Sequence, residues 1–393
     1  MINDTRLKVL LVAEGSGGHL IPALEVAQRL ANQGVLAKVW YAQRPRSARL
    51  LQALSQQMLS DRLSVEAIPL PSSSHVLNRV KACGDLWLRT HQCFKAFGPH
   101  IIVGFGGWIC APVMLAARLA YPHIQWHQAK DASYPEGFPN RVRTMVHEQN
   151  VVMGRANRLL AYWVNRVALS FEKAQTFKNP PSWVRTGMPI RSGIGRMRQS
   201  TDAARFGFSP EKPTVLVLGG SQGSRALNRL VSQGLSLCSE QERRQWQFLH
   251  VTGMEDEPDV RELYSSAGIQ AWVSPFLVDM ESAYAQADVV IARAGASTLA
   301  ELASCGRPAV LIPYPYARAH QHANARLAES VGGAFVVEEH EATASRRLLE
   351  AIRWLLHDPQ LRTCMGQNMQ RLAVTDATQR LADLIVETAI LSQ

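Results

Sequence analysis

Cysteine is scarce. Cys83, Cys93, Cys110, Cys238, Cys305 and Cys364 are the only six in 393 residues, and no two stand in C-x-x-C spacing. That excludes a zinc ribbon, a dithiol redox motif and a secreted disulfide framework, and it points to free thiols in a reducing cytosol. Long apolar runs are missing too. None approaches the ~20 residues of a membrane span, so any membrane association is expected to be peripheral. The N-terminus has one Arg and one Lys and runs straight into residues 9–13 and glycine-rich sequence, which reads as a first strand and not as a signal peptide. Charged residues make up 19% and hydrophobic ones 47%, enough apolar material for more than one core. Positive charge is in excess, at +10. That balance suits nucleic acid, an anionic bilayer or phosphorylated substrates alike. The length predicts two or three domains.

The chain is organised around residues 287–301, ADVVIARAGASTLAE. A short β-branched run predicts a buried strand, residues 293–296 a tight glycine turn, and Ser297 and Thr298 the start of a helix that continues through Leu299 and Ala300. A helix start leaves N–H groups unpaired and carries partial positive charge, so it favours a diphosphate. Glu301 follows one turn in, where a carboxylate can accept from the vicinal hydroxyls of a ribose. Phosphate and sugar contacts together suit a nucleotide. The competing reading is an ordinary strand–helix unit with a serine cap and a solvated Glu.

The first half opens with a strand over 8–13, then Gly15-Ser16-Gly17-Gly18-His19, then a helix from Pro22. Glycines here let the backbone approach a ligand, although His19 and Leu20 break the G-x-G-x-x-G spacing. His19 at the loop mouth reads as a general base near neutral pH or as a helix-capping histidine. Strands are predicted at 37–41 and 65–69, with a helix over 47–60 between them and a loop at 72–75. Residues 75–97 predict an amphipathic helix in which Val76, Val80, Leu86, Trp87, Leu88 and Phe94 alternate with Arg79, Lys81, Arg89 and Lys95. It suits an anionic membrane surface, or a packed helix with a solvated face. A further strand at 101–104 leads into Phe105-Gly106-Gly107-Trp108 and a helix over 111–119. Residues 127–143 look like an inserted loop. The strand that follows ends in His147, Glu148, Gln149 and Asn150, beyond the carboxyl end where α/β sheets bind ligands. Arg191 lies past the last strand and can reach a phosphate or decorate a linker. Residues 192–213, rich in Gly, Ser, Arg and Pro, mark the domain boundary.

The second half repeats the design. A strand over 214–218 exits into Gly219-Gly220-Ser221-Gln222-Gly223 and a helix over 226–235. Later comes His320-Gln321-His322-Ala323-Asn324, whose Gln321 and Asn324 share one side of a helix start, suited to sugar hydroxyls or to capping. The fold class is α/β. Two similarly built halves predict two doubly wound, Rossmann-like domains facing each other across a cleft, over 1–191 and 214–375. The linker is 192–213, and the last helix, 376–393, is expected to pack back on the first half.

Five ordered motifs now carry a resemblance: Gly15 to His19, His147 to Asn150, Gly219 to Gly223, Ala287 to Glu301, and His320-Gln321 with Asn324. Over residues 8–375 the chain resembles the peptidoglycan glycosyltransferases of family 28, which have the GT-B fold. The resemblance implies inverting transfer of N-acetylglucosamine from UDP-N-acetylglucosamine to lipid I, giving lipid II at the cytoplasmic face of the inner membrane. It implies that the backbone at Leu277 meets uracil and that Glu301 meets the ribose. Ser221 and the helix start at Ala296, Ser297, Thr298, Leu299 and Ala300 would take the diphosphate, and Gln321 and Asn324 the donor sugar. Ser16, Gly17, Gly18, Asn150 and Arg191 would complete the donor site. Gly15, Gly106, Gly107, His147 and Glu148 would face the acceptor, with His19 as base.

The resemblance further implies a peripheral membrane protein whose partners are an anionic membrane surface, lipid I and other cell-wall synthesis proteins, and not nucleic acid. No D-x-D motif is present, so helix dipoles and Arg191 are expected to meet the leaving-group charge with no metal and no cofactor beyond the donor. Three departures concern the acceptor side: Glu14 where the family has glycine, Met188-Pro189 where it has Asn-Pro, and the insertion over 127–144. A carboxylate at position 14 should repel an anionic acceptor unless it points away. Three other readings stand beside this one. A GT-B enzyme with another acceptor shares the same motifs. A UDP-sugar epimerase would need paired carboxylates on the glycine loops, and none is placed there. A non-catalytic UDP-sugar or lipid scaffold is the third, against which stand His19, Glu301 and Gln321.

Overall fold

The computed structural model describes residues 7–43, 60–69, 76–120, 142–172, 182–220, 223–317 and 319–390. Ser221, the loop at 72–75, residues 127–141 of the insertion, and all but Ser60 of the helix expected over 47–60 lie outside them. The chain divides into two units. One comprises Met1–Gln149, Met153–Ile190 and Asp376–Gln393, the other Asn150–Val152 and Arg191–Thr375.

The first unit is built on β1 (Lys8–Ala13), β2 (Leu36–Gln43), β3 (Leu63–Pro69), β4 (Ile101–Gly104), β5 (Arg143–Glu148), β6 (Arg166–Leu169) and β7 (Trp183–Arg185). They form one seven-stranded sheet in the order β3-β2-β1-β4-β5-β6-β7, with every pairing parallel. A parallel sheet is covered on both faces, which is why β1 reads as an unbroken apolar run. Alternate residues go to opposite sides. Val9, Leu11 and Ala13 enter one core with α1 (Gly17–Asn32), and Leu10 and Val12 enter another with α2 (Val76–Ala96) and α3 (Cys110–Ala120). The C-terminal helix α14 (Ala377–Ile390) buries Leu381, Leu384 and Ile385 in the first of these cores.

The second unit carries β8 (Thr214–Leu218), β9 (Gln247–Val251), β10 (Gln270–Ser274), β11 (Val289–Ala292), β12 (Ala309–Leu311) and β13 (Ala334–Val336) in a parallel sheet ordered β10-β9-β8-β11-β12-β13. In both sheets the chain starts in the middle, winds outward to one edge, then returns to wind the other way. The reversal lies between β1 and β4 in one unit and between β8 and β11 in the other. Loops leaving the strands at such a reversal part from each other and leave a crevice for ligands.

Residues 192–213, expected to be a linker, count with the second unit. They include the helix α5 (Ser200–Phe206), opened by a capping box in which Asp202 accepts the Gln199 N–H at 2.8 Å. Arg196 grips the same carboxylate at 2.6 Å and the Ser282 hydroxyl at 2.8 Å. A composition of Gly, Ser and Arg reads as loose until the distant partner Ser282 is known.

Candidate active site

In the first unit the loops after β1 and β4 meet through Glu14. Its side chain is buried, and Oε2 accepts the Trp108 N–H at 2.9 Å. The carboxylate therefore turns inward and braces the neighbouring loop. A Cβ on Gly107, whose φ is +91°, would lie 2.4 Å from that oxygen, so the glycine is required by the contact as well as by the backbone.

His19 stands in the first turn of α1, half-buried, with Nδ1 2.6 Å from the Ser16 hydroxyl. In the tautomer whose Nδ1–H donates to the Ser16 hydroxyl, Nε2 is the basic nitrogen. The Cδ2–Nε2 edge of the ring lies beside Gly106, where a Cβ would come within 3.2 Å of Cδ2 and 3.3 Å of Nε2. Gly15, Gly17 and Gly18 form the rest of this loop, and Gly18 is exposed.

His147 and Glu148, expected to face the acceptor, are turned into the protein instead. His147 is fully buried. Its Nε2–H donates to the Gly187 carbonyl at 3.1 Å, and its ring packs on Phe105 at 5.3 Å. Burial holds its pKa down to about 4, so the ring is neutral. Glu148 Oε2 accepts from the Gly154 N–H and from Asn157 Nδ2, both at 2.9 Å, closing the turn into the short helix α4 (Arg155–Leu160). Met188 is buried, with the Ser170 hydroxyl 3.4 Å from its sulfur, so this departure fills core space.

In the second unit the helix α10 (Ala296–Cys305) leaves β11 through Arg293-Ala294-Gly295. Gly295 is the N-cap and supplies no side-chain cap, so Ser297 and Thr298 fall inside the first turn and are not caps. The first-turn amides of Ala296, Ser297 and Thr298 form the positive end of the helix at the sheet reversal. Leu299 and Ala300 were expected among the phosphate contacts. Leu299 is fully buried and its N–H donates to Gly295 O at 2.9 Å, so it serves the core, while Ala300 sits in the second turn.

Glu301 is half-buried and its Oε2 accepts from the Tyr284 hydroxyl at 2.8 Å. Burial pushes its carboxyl above the ordinary range, while the nearby Arg191 guanidinium and the tyrosine hydroxyl draw it back. Arg191 also donates to the Val278 carbonyl at 3.4 Å, next to Leu277, which is itself buried.

Of the two amides expected to meet the sugar, Asn324 is turned inward. Asn324, on α11 (His320–Ser330), is fully buried. Its Nδ2 donates to Ala294 O at 2.9 Å and to Asn150 Oδ1 at 3.2 Å, and its Oδ1 accepts the Val151 N–H at 3.0 Å. With both amide hydrogens engaged it tethers the turn before α10, and Asn150 is its partner. Gln321 Oε1 accepts the Tyr314 N–H at 2.9 Å. Beside them Ala319, the N-cap of α11, has φ +67°, the one left-handed non-glycine among the described residues.

Arg293 is a residue that sequence reasoning placed in the turn without giving it a role. It is buried, ion-paired with Glu339, bonded to the Ser224 hydroxyl at 2.7 Å, and set over the Tyr314 ring at 5.5 Å. It ties the loop after β11 to the loop after β8. In that second loop, a Cβ on Gly223 would lie 2.3 Å from the Thr252 carbonyl. Among the described residues, no three His, Cys, Asp or Glu side chains come together in a metal-ligating group.

Family models match both units. The model described as glycosyltransferase family 28 N-terminal domain covers residues 9–169, and the one described as glycosyltransferase family 28 C-terminal domain covers residues 214–381. A relative from Desulfotalea psychrophila is 34% identical over 392 residues, covering 97% of this chain and 96% of its own. The chain belongs to glycosyltransferase family 28. Another relative, from Paramagnetospirillum magneticum, is 35% identical over 382 residues, with 96% of each chain covered. Both relatives are named UDP-N-acetylglucosamine–N-acetylmuramyl-(pentapeptide) pyrophosphoryl-undecaprenol N-acetylglucosamine transferase. Among solved structures, Acinetobacter baumannii MurG matches with a TM-score of 0.69 at 25% identity, covering 97% of this chain and 99% of its own. The family 28 assignment agrees with the α/β, GT-B reading of the sequence.

Proposed function

We propose that this chain transfers N-acetylglucosamine from UDP-N-acetylglucosamine to the C4 hydroxyl of the N-acetylmuramoyl-pentapeptide of lipid I, forming lipid II. The observation that carries the donor half is α10: a helix start without a side-chain cap at the sheet reversal, with Glu301 one turn behind it. The amides of Ala296, Ser297 and Thr298 with Ser221 take the diphosphate, and Glu301 the ribose. The Leu277 backbone takes uracil, and Gln321 the sugar. Asn324 and Asn150 hold the turn that presents these groups. The nearby Arg191 guanidinium favours the negative charge of Glu301.

On the first unit, Gly15, Ser16, Gly17, Gly18, Gly106 and Gly107 offer backbone to the acceptor diphosphate, and His19 is the base. Nε2 takes the proton from the acceptor hydroxyl as its oxygen attacks the anomeric carbon. The bond to UDP breaks with its electron pair leaving on the β-phosphate, so one displacement inverts the centre. Aligned amide dipoles stabilise that charge with no metal ion.

The chain works at the cytoplasmic face of the inner membrane, held there peripherally. No helix among the described residues is long and apolar enough to cross a bilayer. Trp87 and Leu88 on α2 and Leu115 and Leu119 on α3 are exposed on the first unit, where α2 packs against α3. Apolar side chains on helices that also carry Lys81 and Arg118 suit an anionic surface.

The test is UDP release. It is expected only when a lipid I analogue accompanies UDP-N-acetylglucosamine, and it should persist in EDTA. His19→Ala should lower turnover about 10²-fold or more while changing donor affinity little. Donor binding without turnover in any acceptor would favour a scaffold, and equal effects of His19→Ala on turnover and affinity would remove its role as base.

A further inference from the structure

Glu301 does not stand alone. Tyr284, on the helix α9 (Met280–Gln286), is fully buried, and its hydroxyl meets Glu301 Oε2 at 2.8 Å. The backbone around that tyrosine is clamped. Arg307 Nε donates to the Tyr284 carbonyl at 3.1 Å and Arg307 Nη2 to the Ala285 carbonyl at 2.9 Å, while Arg198 Nε donates to the same Ala285 carbonyl at 3.0 Å. Ala283, Ala285 and Ala287 are buried on either side. A ring held this way cannot drift, so its hydroxyl is a fixed donor aimed at one carboxylate oxygen.

A glutamate partway along a helix otherwise samples several rotamers, and ordering one costs free energy on each binding event. A carboxylate has about four lone-pair positions. The tyrosine occupies one and leaves the others in a set direction. We propose that Tyr284 is a positioning residue for nucleoside recognition: it locks Glu301 in the orientation that reads the ribose hydroxyls, and so sets the preference for a ribonucleoside over a 2′-deoxyribonucleoside diphosphate. The proposal rests on the reading of Glu301 as the ribose ligand. A site built to bond a hydroxyl rejects the analogue lacking it only when its polar group cannot swing away to another partner.

The experiment is calorimetric titration of the full chain with UDP and with 2′-deoxy-UDP, in the unmodified protein, Tyr284→Phe and Glu301→Ala. The unmodified protein is expected to prefer UDP about tenfold or more, the scale of one hydrogen bond to a charged group. Tyr284→Phe keeps the ring and loses only the hydroxyl. It should cut the preference by roughly three- to tenfold and raise KM for the sugar nucleotide more than it lowers kcat. Tyr284→Met, a second replacement without the hydroxyl, should do the same. Glu301→Ala should abolish the preference. Full preference in both tyrosine variants, with loss in Glu301→Ala, overturns the role of Tyr284 and leaves the ribose reading standing. Full preference in Glu301→Ala overturns the ribose reading itself.

Discussion

Three histidines are buried as neutral rings, and this has a consequence for stability. Burial holds His100 and His147 down to about 4 and His250 to about 3. An unfolded histidine titrates near 6.5. A folded pKa below the unfolded one means that the unfolded chain binds more protons as the pH falls. The stabilising contribution is therefore full above about 6.5 and is lost progressively down to about 4 for His100 and His147 and about 3 for His250. A shift of this size is worth on the order of 3 kcal/mol per ring. Thermal melting across that range should show a midpoint falling from pH 6.5 to pH 4, with a shallower fall in His147→Gln. A midpoint independent of pH would mean that these rings are not held neutral. Single residues were also where the sequence was least legible. Glu14 looked like a repulsive charge because nothing in the sequence places the Trp108 amide beside it. Gln321 and Asn324 were readable as two amides on one helix face, but spacing cannot tell an amide turned to a sugar from one turned to Ala294 O and Asn150. Tyr284 lies 17 positions from Glu301, and no local pattern joins them.

Elements were more legible. Strand, glycine turn and helix stand out at 8–30 and at 287–301 because parallel strands covered on both faces read as unbroken apolar runs, and glycines mark the exits. Residues 192–213 were harder to read for the opposite reason: Arg196 joins Asp202 of α5 to Ser282, which is distant in sequence. In α2 the apolar positions divide. Leu86 and Phe94 enter the core, while Trp87 at 41% and Leu88 at 56% exposure remain outside, and Arg89 lies 3.5 Å from Glu66. Under the proposed function, these exposed apolar side chains on a basic helix meet the bilayer surface. Vesicles of anionic phospholipid should pellet the protein at low salt. Replacing Trp87 and Leu88 together by Ser should reduce the bound fraction several-fold without lowering the melting temperature. Unchanged binding would assign the attachment elsewhere.

At the scale of the molecule, two sheets wound in the same order, 3-2-1-4-5-6 over their first six strands, each turn one reversal into a loop cluster. The repeat was visible in the sequence as two copies of strand, glycine loop and helix. What each copy does differs with its side chains. In the first unit His19 leans on Ser16, and in the second α10 opens without a side-chain cap ahead of Glu301. The C-terminal helix α14 closes the first core with Leu381, Leu384 and Ile385, so the first unit is completed only by the last residues of the chain. The central claim is that the start of α10 and Glu301 together hold a uridine diphosphate sugar. The most direct measurement is the structure of the protein with UDP-N-acetylglucosamine bound. Phosphate oxygens within hydrogen-bond reach of the Ala296, Ser297 and Thr298 amides, with the ribose hydroxyls on Glu301, is the expected result. A nucleotide bound away from α10 would contradict it.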